Sequence, residues 1–327
     1  MKMTKPCVVL VTGVGGDSQG WGNMQVTEAV RAAVCATGRD CRVVWADDRE
    51  TMLAGLNAGP ADIVWSSLYF FSDRADIVGI PPDAVWVADV LDGIGMPYIG
   101  PSAQTMKNLI GKFATHEILA AHGVRVPRHV ICPPSDVSEI DYFPAFVKPN
   151  GESRSVGINE NSVAEDAAAL ERQVRFIQKE LAQPALVEEY LPGREYTVLA
   201  IGNGDRREIL PGRVTVAPEH YGKYPILRSD LRGVGLTHVS LPEEHREEAV
   251  ELARAACEAL NCTDHVRIDM REDASGRLRI MEVNGIPGLK PVKSWSPQIY
   301  ALYHPGPDVY TALIDAIVTS ALAGVHR

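Results

Sequence analysis

The chain has no cysteine pair spaced as CxxC, no apolar stretch near the roughly 18 residues of a membrane helix, and fewer basic than acidic residues. Each absence narrows the function. Its six cysteines, Cys7, Cys35, Cys41, Cys132, Cys257 and Cys262, are scattered over 327 residues, which reads as reduced, mostly buried thiols rather than a disulfide framework. With 32 basic against 42 acidic residues the net charge is −10, so no nucleic-acid partner is expected, although a nucleotide held by a few local groups is compatible. The N-terminus carries only a short apolar run, Cys7–Gly13, with no small-residue cleavage site after it. This reads as a first strand rather than a signal peptide, and with no membrane span the expected location is cytoplasmic. There is no GxxxxGK[ST] loop, internal repeat or low-complexity segment. At 46% hydrophobic and 23% charged, the composition is that of a soluble globular protein, long enough for two or three domains.

What is present begins with alternating strand and helix signals up to about residue 100. Short apolar runs at Cys7–Thr12, Arg42–Trp45, Asp62–Trp65 and Pro97–Ile99 are separated by helical patterns near Gln25–Thr37 and Arg49–Leu56. That rhythm predicts a parallel sheet with crossover helices and an α/β fold. The glycine-rich stretch Gly13–Gly22 follows the first strand; it lacks the acidic ribose partner of a dinucleotide fingerprint and reads as a substrate-side loop. Helices are expected at Ser102–Leu109 and Lys112–His122, with a domain boundary near Gly111.

Further on, the buried run Ala145–Lys148 delivers a lysine into the polar, glycine-containing loop Asn150–Gly157. A point charge beside backbone N–H donors suits nucleotide phosphates, and a snorkelling surface lysine is the plainer alternative. Ser162-Val163-Ala164-Glu165 has the form of a capping box opening a helix to about Leu181. The strand Ala185–Leu191 and the run Gly193–Val198 suggest a linker whose backbone groups read an adenine edge while Glu195 accepts from ribose hydroxyls, or merely a connected strand pair. Val214–Thr237, containing His220, Lys223, Tyr224, Arg228, Arg232, Gly233 and Gly235, has no periodicity and reads as a mobile functional loop. Amphipathic helices are expected at Pro242–Leu260, with Glu243 and Glu244 near its start, and at Pro307–Ala323.

Val266–Arg271 and Leu278–Val283 alternate around Glu272–Gly276 and predict a β-hairpin. Strand parity then puts Arg267 beside Asp269 and Glu282 beside Asn284. Oxygen donors of this kind suit a hard cation that shares its coordination with phosphates; a solvated polar face fits the same spacing.

In order along the chain, Lys148-Pro149 with Ser155-Val156-Gly157, Glu188–Leu191 with Gly193–Val198, Lys223-Tyr224, Arg267-Ile268-Asp269, and Glu282-Val283-Asn284 with Pro287-Gly288 resemble the D-alanine–D-alanine ligase family of the ATP-grasp superfamily. The likeness runs from about Pro97 to Pro297. It implies an ATP-grasp fold with an N-terminal parallel-sheet domain (1–111), a central domain (112–190) and a C-terminal catalytic domain (191–327). It also implies ATP and two Mg²⁺ ions, or Mn²⁺, as cofactors. By resemblance, Lys112, Lys148 and Ser155 would hold the ATP phosphates. Glu188 with the backbone of Glu189, Tyr190 and Leu191 would read adenine, and Glu195 would bind ribose. Asp269, Glu282 and Asn284 would hold the metal, Lys223 would close over the γ-phosphate, and Arg267 with the Gly288 N–H would face the reacting carboxylate. The implied activity is an ATP-dependent ligase that joins a small carboxylate to an amine through an acyl phosphate. By analogy the resemblance also allows a homodimer.

Departures from the family pattern bear on the substrates. Gly15-Gly16 is followed by Asp17-Ser18-Gln19-Gly20-Trp21 where the family has a Glu-Arg-Glu run, leaving Asp17 as a replacement anchor. Around Trp65–Phe71 the family's His-Gly and Gly-Glu-Asp-Gly segment is absent. Arg154 stands in place of a serine, and Leu289–Ser294 carries an extra residue, so that Arg154, Tyr224, Lys290, Lys293 and Ser294 are the expected substrate contacts. These departures favour substrates other than two D-alanines. Three alternatives stay open: a D-alanine–D-alanine ligase of cell-wall synthesis, a nucleotide-binding sensor or accessory subunit without chemistry, and phosphotransfer to a hydroxyl.

Overall fold

The apolar run Cys7–Thr12 (β1) is fully buried because both faces of a central parallel strand are covered. In the computed structural model, which describes residues 6–76, 78–133, 136–217, 219, 221–228 and 236–325, β1 opens a four-stranded parallel sheet. The order of elements here is β1, α1 (Gly16–Gln19), α2 (Met24–Ala36), β2 (Asp40–Trp45), α3 (Arg49–Asn57), β3 (Ile63–Ser66), α4 (Val87–Gly93) and β4 (Tyr98–Ile99). The sheet order is β2-β1-β3-β4. Part of the glycine-rich loop is thus a single helical turn.

Helices α5 (Ala103–Ile110) and α6 (Lys112–Ala121) meet at Gly111 and lead into β5 (His129–Cys132), β6 (Ala145–Pro149), β7 (Val163–Ala164), α7 (Ala167–Glu180) and β8 (Ala185–Glu189). The second sheet is antiparallel, in the order β5-β8-β6-β7. Here one expectation fails. Ser162 does not cap the long helix: Val163 and Ala164 pair with Phe146 and Ala145, and the cap is Asp166, whose carboxylate accepts from the Ala169 N–H at 2.7 Å. Two apolar residues gained an edge position on a sheet, which outweighed the local capping signal.

The third sheet contains β9 (Glu195–Ile201), β10 (Glu208–Val216), β11 (Thr237–Ser240), β12 (His265–Glu272) and β13 (Leu278–Asn284), with α8 (Arg246–Ala259) between β11 and β12. Its order, β11-β10-β9-β12-β13, puts the hairpin β12–β13 at one edge. Helix α8 begins later than its apolar pattern predicted, after His245 in a left-handed conformation (φ 58°), so Glu247 and Glu248 rather than Glu243 and Glu244 occupy its first turn. The expected loop 214–237 is shorter at its start because Val214–Val216 completes β10; His220, Arg232, Gly233 and Gly235 lie outside the described residues.

Two further helices, α9 (Trp295–Tyr303) and α10 (Val309–Val325), close the chain. Leu313, Ile314 and Ile317 of α10 share a core with Val26 and Val30 of α2, and Arg39 donates to Thr319 at 2.7 Å, so the end of the chain packs on its first layer. Among the described residues no helix is long and apolar enough to cross a membrane.

The hairpin departs from strict alternation. Asp269 pairs with Glu282 but Met270 pairs with Ile280, so Met281 is an extra residue on β13. Without this bulge, Leu278, Ile280, Glu282 and Asn284 would all point to one face. With it, Leu278, Ile280 and Val283 enter the core while Glu282 and Asn284 turn outward beside Asp269.

Candidate active site

The bulge also frees the Met281 carbonyl, which accepts from Lys148 Nζ at 3.1 Å. Lys148 comes from the buried end of β6, and its ammonium lies 2.8 Å from Glu188 Oε1 on the adjacent β8. The same oxygen accepts from His116 Nε2 at 2.6 Å. Burial alone would raise the Glu188 carboxyl, but Lys148 and His116 hold it down at about 2. Burial likewise keeps His116 below the usual histidine range. Lys112, at the start of α6, donates to the Glu152 carbonyl and lies 3.6 Å from Glu282 Oε1. Two buried lysines therefore converge on one cleft, each beside a carboxylate.

That cleft, open to solvent, spans about 840 Å³ between β6, β8 and the hairpin. Glu189, Tyr190, Leu191 and Glu195 line one side, and Ser155 and Val156 of the loop after β6 line another. Arg271 is buried in the same wall. Its Nε donates to the Gly193 carbonyl at 3.0 Å and its Nη2 to the Pro225 carbonyl at 2.7 Å, while its guanidinium lies 5.6 Å from the centre of the Tyr190 ring. Arg271 thus fastens the linker after β8 to the loop 221–228.

At the inner end, Asp269 and Glu282 are cross-strand partners, as are Arg267 and Asn284. Asp269 accepts from Arg267 Nε and Nη2 at 2.9 and 2.8 Å, from Thr197 Oγ1 at 2.7 Å and from Asn284 Nδ2 at 3.1 Å. Burial works against the charge on Arg267, but Asp269 outweighs it and the guanidinium is held above its ordinary pKa. Trp295 covers it, with the ring centre 5.1 Å away. Among the described residues no group of three His, Cys, Asp or Glu side chains is placed to hold a metal ion by itself. Two carboxylates and one amide oxygen nevertheless fit Mg²⁺, which takes few protein ligands when phosphates supply the rest.

A second cleft of about 1240 Å³ adjoins the first, sharing Leu227, Glu282 and Trp295. Asp17, Arg154, Arg267, Gly288, Lys290, Lys293 and Ser294 line it. Arg154, at φ 57°, donates to the Asp17 carbonyl and lies 3.0 Å from Asp17 Oδ2. Gly288 sits against Ser294: a Cβ there would come within 2.8 Å of Ser294 Oγ, which accepts from the Lys290 N–H at 3.0 Å.

The family model for the D-ala D-ala ligase C-terminus matches residues 127–319. A D-alanine–D-alanine ligase of Gluconobacter oxydans is 30% identical over 287 residues, 84% of this chain and 86% of that protein. The chain belongs to the D-alanine–D-alanine ligase family. It is therefore an ATP-dependent ligase that forms a carbon–nitrogen bond. An uncharacterized protein of Sinorhizobium fredii is also 30% identical, over 72% of this chain and 69% of its own length. The whole fold is that of a D-alanine–D-alanine ligase of Bacillus anthracis crystallised with ATP, at a TM-score of 0.72 and 19% identity over 98% of this chain and 99% of that one. A D-Ala:D-Ser ligase of Enterococcus faecalis gives a TM-score of 0.70 at 17% identity, over 98% and 100% of the two chains.

Within this ligase, most residues singled out in the sequence face one of the two clefts. Two do not: Lys223 and Tyr224 both bind Glu165, and the Tyr224 ring packs edge-on against Tyr190 at 5.0 Å. Glu188 faces its cleft with its carboxylate already committed to Lys148 and His116. Sequence reasoning missed Arg271, Gln19 and Tyr69. Arg271 shares strand parity with Arg267 and Asp269, so a signal existed. Gln19 Oε1 accepts from the Tyr69 and Phe70 N–H groups at 2.9 and 3.0 Å, and Tyr69 Oη accepts from the Gly285 and Ile286 N–H groups at 3.1 and 3.0 Å. The first contact braces α1 against the segment after β3 and the second braces that segment against the residues after the hairpin; neither had a local signature.

Proposed function

We propose that the ligase activates a small carboxylic acid as its acyl phosphate and transfers the acyl group to an amine, with a substrate pair other than two D-alanines. The observation that carries the pair is the Arg154–Asp17 contact: the acidic group within the glycine-rich loop is already paired with a guanidinium. Lys112 and Lys148 bind the ATP phosphates with Ser155 and the adjoining backbone. The Glu189–Leu191 backbone binds adenine and Glu195 the ribose. The Glu188 carboxylate, committed to Lys148, orients that lysine rather than reading the base. Lys223 reaches the γ-phosphate only if its loop leaves Glu165.

Asp269, Glu282 and Asn284 are the residues that would hold Mg²⁺, which when bound would supply positive charge at the phosphates. An oxygen of the donor carboxylate attacks the γ-phosphorus as the bond to ADP breaks. The amine then attacks the acyl carbon and phosphate leaves. Arg267, fixed in plane by Asp269 and Trp295, and the Gly288 N–H donate to the tetrahedral oxyanion; one such donor contributes about 3 kcal/mol. Lys290, Lys293 and Ser294 bind the acceptor's carboxylate. Closure over both clefts keeps water from the acyl phosphate.

A second reading, ligation of two D-alanines, is favoured by the identity to the Gluconobacter oxydans ligase. Phosphate release with D-alanine alone and with a panel of carboxylic acids and amines separates the two. Turnover confined to a mixed pair supports the proposal, and robust turnover with D-alanine alone overturns it.

A further inference from the structure

The charges of the second cleft are uneven. Among the described residues, the carboxylates that line it are Asp17 and Glu282. Glu282 belongs to the phosphate end and has Lys112 at 3.6 Å. Asp17 is bound through its carboxylate and its carbonyl by Arg154. Neutral side chains are committed as well: Gln19 is spent on Tyr69 and Phe70, and Ser153 Oγ donates to the Ser18 carbonyl at 2.6 Å. The cations Lys290 and Lys293, by contrast, have no acidic partner among the described residues.

An ammonium group entering such a cleft loses hydration and needs a carboxylate to replace it. Among the described residues, the one carboxylate placed away from the phosphates is Asp17, half-exposed and already paired with Arg154. The pair is set by the backbone, since Arg154 and Ser155 both lie in the left-handed region and Ser153 ties the same loop to Ser18.

We infer that the acid activated by this ligase carries no α-ammonium group, so that its donor is an unaminated carboxylic acid and Arg154 is the residue that selects it. This rests on the ligase reading above. In the first step a carboxylate oxygen bonds to the γ-phosphorus and ADP departs. Hydroxylamine can stand in for the amine, attacking the acyl carbon to release phosphate and leave a hydroxamate.

The experiment measures hydroxamate and ADP from matched acids, D- or L-alanine against propanoate and lactate, and aspartate against succinate, with ATP and Mg²⁺. The expected result is that the unaminated member of at least one pair is activated with kcat/KM higher by about tenfold or more, the scale of one charge-assisted contact. Arg154→Met keeps the side-chain length and frees Asp17. It should shift that ratio toward the aminated acids by about tenfold, and Asp17→Asn added to it should reverse the shift. Aminated acids activated as well as their counterparts by the unaltered enzyme, or a ratio that Arg154→Met does not move, would overturn the inference and leave the ligase reading standing. Bound ATP with no hydroxamate from any acid would overturn the ligase reading and this inference with it.

Discussion

Replacing Glu188 with Gln tests the innermost charge arrangement of the nucleotide cleft. Glu188 is 2% exposed, with Lys148 at 2.8 Å and His116 at 2.6 Å on one oxygen. A carboxyl drawn from 4.5 down to about 2 despite burial corresponds to roughly 3 kcal/mol of net favourable interaction in the folded state. Breaking one side of a buried ion pair costs about 3–5 kcal/mol, because the surviving charge is stranded. Glu188→Gln should therefore lower the unfolding free energy by about 3 kcal/mol in urea at pH 7. Lys148→Met on top of it should restore part of the loss, since no ammonium is then left unpaired. The pH dependence has a definite sign. Because the folded carboxyl is depressed, its contribution is present above the unfolded value of 4.5 and is lost as pH falls toward about 2. A Glu188→Gln protein within about 1 kcal/mol of the unaltered one, or a double variant no more stable than the single, would refute the reasoning.

The other predictions concern the proposed metal ligands and a buried histidine. Asp269→Asn and Glu282→Gln should each lower ADP formation by about a thousandfold, the scale of several kcal/mol of lost charge stabilisation, with circular dichroism unchanged; normal turnover in either variant would remove that residue from the metal site. His265 is fully enclosed and held at about 3, chiefly by burial and further by Arg267. Its folded pKa lies below the ordinary 6.5, so the unfolded chain binds the extra proton and stability falls as pH drops below 6.5. The unaltered protein should lose about 2 kcal/mol more between pH 6.5 and pH 5 than His265→Phe does, measured by denaturant unfolding. Equal losses would contradict that environment.

How far the sequence disclosed this site depends on the range of the interaction. Arg267, Asp269, Glu282 and Asn284 were legible because strand parity and two-strand pairing are local rules. The bulge at Met281 was half legible: Leu278, Ile280 and Val283 break the period of two, and that break marks the place where the Lys148 acceptor forms. Glu188 was visible as a residue but not in its contacts, which depend on β6 lying beside β8 and on α6 bringing His116 across. Ser162 misled because a capping pattern of four residues carries no information about a strand edge nearby. The contacts of Lys223 and Tyr224 with Glu165, and of Arg154 with Asp17, join segments 58, 59 and 137 positions apart. No local pattern encodes them.

The central claim is that a carboxylate is activated by direct transfer of the γ-phosphoryl group in the cleft between Lys148 and the β12–β13 hairpin. Turnover with a donor acid labelled with ¹⁸O in both carboxylate oxygens, followed by mass analysis of the released phosphate, tests it most directly. One ¹⁸O in each phosphate is the predicted result. Phosphate free of ¹⁸O while amide product accumulates would contradict it.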